Sequence, residues 1–253
     1  MAMDEARGMT LEPDRSSRHS VGILASPAEV YQALTDPGVL SRWLVSEAGI
    51  DLRPGGPYRW LFGEATGITT RDPLIASGEF VEIVPHESVR MRSVVEGTDT
   101  ELEFRLDAWR DGTVLTVTHA GFPGEEDWDD TFRLIDQGWA SEIQVLKLYL
   151  ERARGMVFRS RYHEAQLAAP AEDLFERFIT NSGLEGWLAE RAAADPTPGG
   201  GLRLAWSGRE PVEGHFVVCD PDRFLVMTWE GTQPSVVRLW LDEAEEGGRC
   251  DLR

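Results

Sequence analysis

Residues 54–56 are Pro-Gly-Gly, and residues 198–200 are Pro-Gly-Gly again. Three other short segments repeat in the same order: Pro27-Ala28-Glu29 as Pro170-Ala171-Glu172, Trp43-Leu44 as Trp187-Leu188, and residues 78–81 as residues 214–217. The offset between the copies is 143 to 144 residues at first and 136 later, so one loop is about eight residues shorter in the second copy. A period of this length is that of a domain rather than of a solenoid unit. The sequence therefore predicts two tandem domains of one kind.

The composition restricts the classes of partner. The chain has 253 residues and a formal net charge of −19, which repels nucleic acid and anionic membranes. No apolar run reaches the roughly 20 residues that span a bilayer, and the polar N-terminus has no signal-peptide core. The two cysteines, Cys219 and Cys250, match no metal or disulfide pattern. We therefore expect a soluble cytoplasmic protein with a disordered tail at residues 1–17.

The periodicity of apolar residues changes twice along the first copy. Ser26, Pro27 and Glu29 have the pattern of a capped helix start. From Tyr58 onward, apolar and polar residues alternate, which predicts five or six antiparallel strands. The helical period then returns in one long apolar stripe, formed by Phe132, Ile135, Trp139, Ile143, Leu146 and Leu150. Acidic residues at the start of this helix suit its dipole, so we expect no metal site there.

Strands followed by one long helix indicate the α+β class, with the helix packed on one face of a curved antiparallel sheet. We place the first domain at residues 18–155 and the second at residues 156–253. The second copy ends at a point that corresponds to Leu115–Thr118 of the first. It therefore lacks the counterpart of the long helix.

Four segments carry a family resemblance. They are Ser26–Pro37 with Trp43, Pro54-Gly55-Gly56 before an aromatic strand, Gly112–Phe122, and Gly138-Trp139 in the helix stripe. They resemble the SRPBCC group, also called START-like or Bet v1-like, and within it the bacterial family related to the Hsp90 ATPase activator. The resemblance implies two helix-grip domains, in each of which a curved sheet wraps a long C-terminal helix around a deep cavity. In the second copy that helix is missing.

A cavity beside aromatic strands suggests a hydrophobic ligand, because aromatic side chains offer large flat contact surfaces. The simpler interpretation of any single aromatic residue is plain core. The candidate ligand-binding residues on the predicted inward faces are Trp43, Tyr58, Trp60, Phe62, Phe80, Met91, Phe104, Trp139, Ile143, Trp206, Phe216, Met227 and Trp229. The resemblance to START-like proteins implies an aromatic, polyene or polyketide-type molecule, handled in secondary-metabolite biosynthesis or resistance, in a cavity that could join both domains.

Enzyme motifs are scarce, and no cofactor is expected. His119 ends a strand whose inward face carries Leu115 and Val117, and Glu79 and His215 hold equivalent positions in the two copies. A structural role for His119 and solvent-facing positions for the other two are the simpler interpretations. The resemblance implies that any reaction would be a cofactor-independent polyketide cyclase or aromatase-like one. The alternative function is a protein-interaction module of the co-chaperone kind, without a small-molecule ligand.

The early end of the second copy predicts an exposed inner sheet face. Three explanations remain open: the two cavities join, a swapped helix or a second copy in a homo-oligomer covers the face, or the sequence stops short of the full protein.

Overall fold

The computed structural model describes residues 15–62, 74–158, 165–231, 234–243 and 250–252. The elements of the first copy are, in chain order, β1 (Arg15–Ile23), α1 (Pro27–Thr35), α2 (Pro37–Trp43), β2 (Glu47–Ile50), β3 (Pro57–Phe62), β4 (Leu74–Val84), β5 (Ser88–Val95), β6 (Thr98–Trp109), β7 (Gly112–Phe122), a 3-10 turn (Glu126–Trp128) and α3 (Asp129–Arg152). The predicted capping box is present, since Ser26 and Glu29 bond to each other's backbone amide.

The second copy repeats this order without a counterpart of α3 in its described residues. Its elements are β8 (Ala165–Leu167), α4 (Ala171–Ile179), α5 (Asn181–Trp187), β9 (Arg191–Ala194), β10 (Gly201–Ala205), β11 (Val212–Asp220), β12 (Phe224–Trp229), β13 (Ser235–Glu243) and β14 (Cys250–Leu252). Among the described residues, no helix has both the length and the apolar character that crossing a bilayer requires.

Each copy forms an antiparallel sheet of seven strands, and the two sheets have the same strand order. The first runs β1-β7-β6-β5-β4-β3-β2, and the second runs β8-β14-β13-β12-β11-β10-β9. The predicted α+β class and the tandem helix-grip organisation are therefore confirmed. β14 occupies the place of β7, as expected from the point at which the second copy ends.

In each copy, the repeated Pro-Gly-Gly segment forms a turn whose backbone is hydrogen-bonded to a strand of the sheet. Gly55 has a φ of 74° and Gly199 a φ of 85°, a left-handed backbone that favours glycine. In the first copy, Gly55 N donates to Phe80 O at 2.7 Å and Phe80 N donates to Gly56 O at 2.9 Å. The second copy makes the same pair of bonds between Gly199, Gly200 and Phe216. The register shifts just after Phe80 and after Phe216, and such bulges bend a strand.

The first strand begins before the predicted domain boundary at residue 18. β1 starts at Arg15, whereas the tail was expected to extend to residue 17, and residues 1–14 lie outside the described part. Ser17 is buried and pairs with His119 across the sheet, and Arg15 forms an ion pair with Asp129 at the start of α3. These partners are more than a hundred residues away, so the local sequence carries no sign of them.

The inner face of the second sheet is covered, which corrects the expectation that it would be exposed. Leu225, Leu239 and Leu241 are at most 5% exposed. They pack in one cluster with Leu174 and Phe175 of α4 and with Leu184 of α5. The two short helices therefore cover this part of the inner face, whereas Trp229 and Val237 on the same face are only partly buried.

The second sheet packs its opposite face against α3 of the first copy. In β12, Val226 and Thr228 alternate with the inner-face residues and are completely buried. α3 contacts β11 and β13 on this side and β1 on the other. The helix α3 therefore packs against the inner face of the first sheet and the outer face of the second sheet.

The backbone of Thr228 lies so close to Gly214 that a side chain at this position should destabilise the fold. A Cβ atom there would lie 1.8 Å from the carbonyl oxygen of Thr228, whereas a Cβ at Gly186 in α5 would meet nothing within 4 Å. G214A should lower the free energy of unfolding by about 1–3 kcal/mol, as other overpacked sites do. G186A should be neutral or stabilising by up to about 1 kcal/mol. Urea titrations of both variants check this, and equal midpoints would contradict it.

Candidate functional site

A cavity of about 310 Å³ lies between the inner face of the first sheet and the N-terminal half of α3. Strands β3 to β7 supply one wall, with Tyr58 and Trp60 of β3 among the lining residues. Ile135 and Trp139 of α3 supply another. Ile75, Val94 and Leu134 also line the cavity and are 46% to 52% exposed, so they mark an apolar mouth open to solvent.

Four of the predicted ligand-binding residues line this cavity: Tyr58, Trp60, Phe62 and Trp139. Five others belong to the hydrophobic core of the first copy: Trp43, Phe80, Met91, Phe104 and Ile143. The remaining four belong to the core of the second copy or pack against it: Trp206, Phe216, Met227 and Trp229. The structure thus divides the predicted set between one cavity and two cores.

The second copy completes the cavity with three residues that the sequence analysis missed. They are Phe224, Arg238 and Trp240. All three lie on the outer face of the second sheet. The residues that alternate with them along β12 and β13, Leu225, Leu239 and Leu241, belong to the inner core. Two aromatic residues at outer-face positions of adjacent strands are a signal that could have identified this surface.

A buried ion pair holds the two copies together at the cavity wall. Arg238 Nη2 donates to Glu142 Oε1 at 2.7 Å, and Arg238 Nε donates to Ser141 Oγ. The side chains of Arg238 and Glu142 are only 13% and 10% exposed. Burial raises the pKa of Glu142, while the guanidinium acts in the opposite direction. Gln137 Nε2 donates to Asp220 Oδ2 at 2.8 Å, which adds another polar contact between the copies.

His119 lines the cavity, but both of its ring nitrogens are occupied. Trp139 Nε1 donates to His119 Nδ1 at 3.2 Å, and His119 Nε2 lies 2.9 Å from Thr100 Oγ1. An indole N–H can only donate, so Nδ1 carries no proton and the ring is neutral with its proton on Nε2. Burial lowers the pKa of His119 to about 4. This arrangement favours the structural role over that of a general base.

The other two catalytic candidates lie away from the cavity lining. Glu79 accepts a hydrogen bond from Arg92 Nη1 at 2.7 Å, and both side chains are about half exposed. His215 Nδ1 lies 2.9 Å from Thr228 Oγ1 and 3.4 Å from Glu230 Oε1, on the side of the second sheet that faces α3. Neither residue is brought together with His119.

The polar groups of the site do not form a metal or nucleophile centre. Within the described ranges, no three His, Cys, Asp or Glu side chains converge as metal ligands would. Cys219 is a free thiol packed against the core of the second copy, and its burial raises its pKa to about 11. A thiol with so high a pKa is protonated at neutral pH and is a poor nucleophile.

Comparison with known proteins identifies the family. The family model for Activator of Hsp90 ATPase homolog 1-like protein matches residues 24–151 and 168–253. These two segments make up most of the chain and correspond to the two copies. The chain therefore belongs to this family, as the sequence resemblance implied. No curated protein sequence matches it.

Solved structures with a similar fold include single-domain and two-domain proteins. The Aha1 dimer from Colwellia psychrerythraea is 23% identical, with 56% of this chain and 99% of that chain covered and a TM-score of 0.48. DynU16, a protein of the dynemicin biosynthetic locus, is 18% identical, with 95% and 86% covered and a TM-score of 0.49. The di-domain ARO/CYC BexL from the BE-7585A biosynthetic pathway is 18% identical, with 94% and 83% covered and a TM-score of 0.45.

The lowered pKa of His119 predicts a pH dependence of stability. The ordinary pKa is 6.5 and the folded value is about 4, so the unfolded state binds more protons between these values. Stability should therefore fall as the pH drops from 6.5 towards 4, by about 3 kcal/mol at most. Because H119Q removes this group, its unfolding free energy should fall less over the same interval. Urea denaturation at several pH values measures the difference, and parallel curves for the two proteins would contradict it.

Breaking the buried ion pair should be costly. R238M leaves the Glu142 carboxylate buried without the guanidinium, which typically costs about 3–5 kcal/mol. The double variant R238M/E142L should regain most of this loss, because no buried charge remains. R203M is a matched control, since Arg203 pairs with Glu213 at 2.8 Å on the surface and its loss should cost at most about 1 kcal/mol. Thermal and urea unfolding compare these variants, and equal losses in R238M and R203M would contradict the prediction.

Proposed function

We propose that the first copy binds a hydrophobic small molecule in its cavity, and that the second copy forms one wall of that site. The volume of about 310 Å³ is at the lower end of the range typical of ligand pockets, about 300–1,000 Å³. The observation that carries the proposal is that this space remains open beside a lining that contains six Phe, Tyr or Trp side chains. A fully packed core would have left no such space.

The lining favours a flat, unsaturated ligand. Tyr58 and Trp60 have ring centroids 5.0 Å apart, and Trp139 faces the cavity from α3. Burial raises the pKa of Tyr58, so its ring is uncharged at neutral pH. Such surfaces suit aromatic, polyene or polyketide-type molecules. A ligand of this class would give the protein a role in secondary-metabolite biosynthesis or resistance.

Binding without chemistry is the simpler form of the proposal. His119 already uses both nitrogens, and Glu79 and His215 lie away from the cavity lining. If a reaction occurs, the residues favour a cyclisation guided by the shape of the cavity, without a cofactor. The alternative, a protein-interaction module of the co-chaperone kind, would not need an open apolar cavity with an apolar mouth.

Gly138 offers a direct test, because it lines the cavity on α3 and an added Cβ would meet nothing within 4 Å. G138L should place a side chain in the cavity and weaken the binding of prodan, a neutral naphthalene dye, by about tenfold or more. The same change should stabilise the helix by roughly 0.8 kcal/mol, since leucine is a better helix former than glycine. Prodan fluorescence and thermal unfolding provide the two measurements.

The matched control is G186L, in the exposed part of α5, which should leave dye binding unchanged. Loss of binding with gained stability in G138L cannot be explained by misfolding. Equal dye binding by the wild type, G138L and G186L would contradict the proposal. So would failure of the wild type to bind prodan or any aromatic compound of a comparable panel.

A further inference from the structure

The second sheet lines the cavity with two outer-face residues that differ from the residues at the equivalent positions of the first sheet. Phe224 and Trp240 are directly opposite each other on β12 and β13. The equivalent cross-strand pair of the first copy is Ser88 and Arg105. Arg105 is 63% exposed and pairs with Asp107 in solvent. The second copy thus carries two aromatic residues where the first carries a serine and a solvated arginine.

This aromatic pair forms a rigid surface. The ring centroids of Phe224 and Trp240 are 5.0 Å apart, and the ring planes are inclined by 36°. Phe224 is only 3% exposed. Aromatic side chains on paired strands have few accessible rotamers and stabilise each other across the sheet. The position of the Trp240 ring is therefore set by the sheet rather than by the ligand.

The buried ion pair fixes the distance of this surface from α3. Arg238 precedes Trp240 by two residues on the same face of β13 and binds Ser141 and Glu142 of the helix. Two residues along a strand correspond to roughly 6.6 Å, so Trp240 lies next to the anchored point. Tyr58 and Trp60 of the first copy line the same cavity as Trp240. Aromatic side chains from both copies therefore bound the space that a ring system can occupy.

We propose that Trp240, supported by Phe224, is a specificity-determining residue that sets the size of ring system the cavity accepts. This inference rests on the proposed function, because it concerns the same site. It assigns the second copy a role in selecting the ligand of the first. A compact two-ring compound should fit against Trp240, whereas a larger fused system should be excluded by it.

The test compares 2-naphthol with 1-hydroxypyrene, two neutral fluorescent compounds of different ring size, on the full chain. In W240A, the affinity for 1-hydroxypyrene relative to 2-naphthol should rise by about tenfold or more over the wild type, because the wall recedes. W240F removes less volume and should give a smaller rise in the same direction. It also keeps the test usable if W240A fails to fold.

The control is W187A, which removes an indole of the second copy that is 52% exposed and lies outside the cavity lining. It should leave the ratio of the two affinities at its wild-type value. An unchanged ratio in both W240F and W240A, with 2-naphthol still bound, would overturn the inference and leave the proposed function intact. If the wild type binds neither compound, the proposed function fails and this inference fails with it.

Discussion

The packing of α3 between two sheets is the constraint on which the rest of the structure depends. Ile143 and Leu146 face the core of the first copy, whereas Ser141 and Glu142 of the same helix are buried against the second. A helix inside a single domain would expose its second side to solvent. Here that side is covered, so the two copies cannot separate without exposing apolar surface and a buried charge pair.

This packing gives the two copies different surroundings. The first retains open space between β3 to β7 and α3, while α4 and α5 cover the inner face of the second. On the outer side, Val226 and Thr228 of the second sheet replace Arg90 and Arg92 at equivalent positions of the first. A face that is solvated in one copy has become an interface in the other.

The ion pair between Arg238 and Glu142 has a role beyond stability. Removing two charges from water is expensive, and a well-packed apolar pair could serve as well energetically. A charge pair, however, tolerates only a narrow range of geometries, because any sliding of β13 along α3 would leave both charges unpaired. We therefore interpret it as the contact that fixes the register of the second sheet, and hence the cavity wall.

The sequence by itself determined the tandem repeat, the strand and helix order, and which residues of each strand share a face. The repeated Pro-Gly-Gly segments, the alternation from Tyr58 and the helical stripe from Phe132 to Leu150 were sufficient for this, because turn geometry, strand pleating and helical period are local properties. Only the tertiary structure decided what covers each face. The alternation predicts that Trp240 lies on the outer face of its own sheet, away from the inner core. It does not predict that Trp240 lines the cavity of the other copy. That contact depends on how two domains dock, for which no local pattern exists.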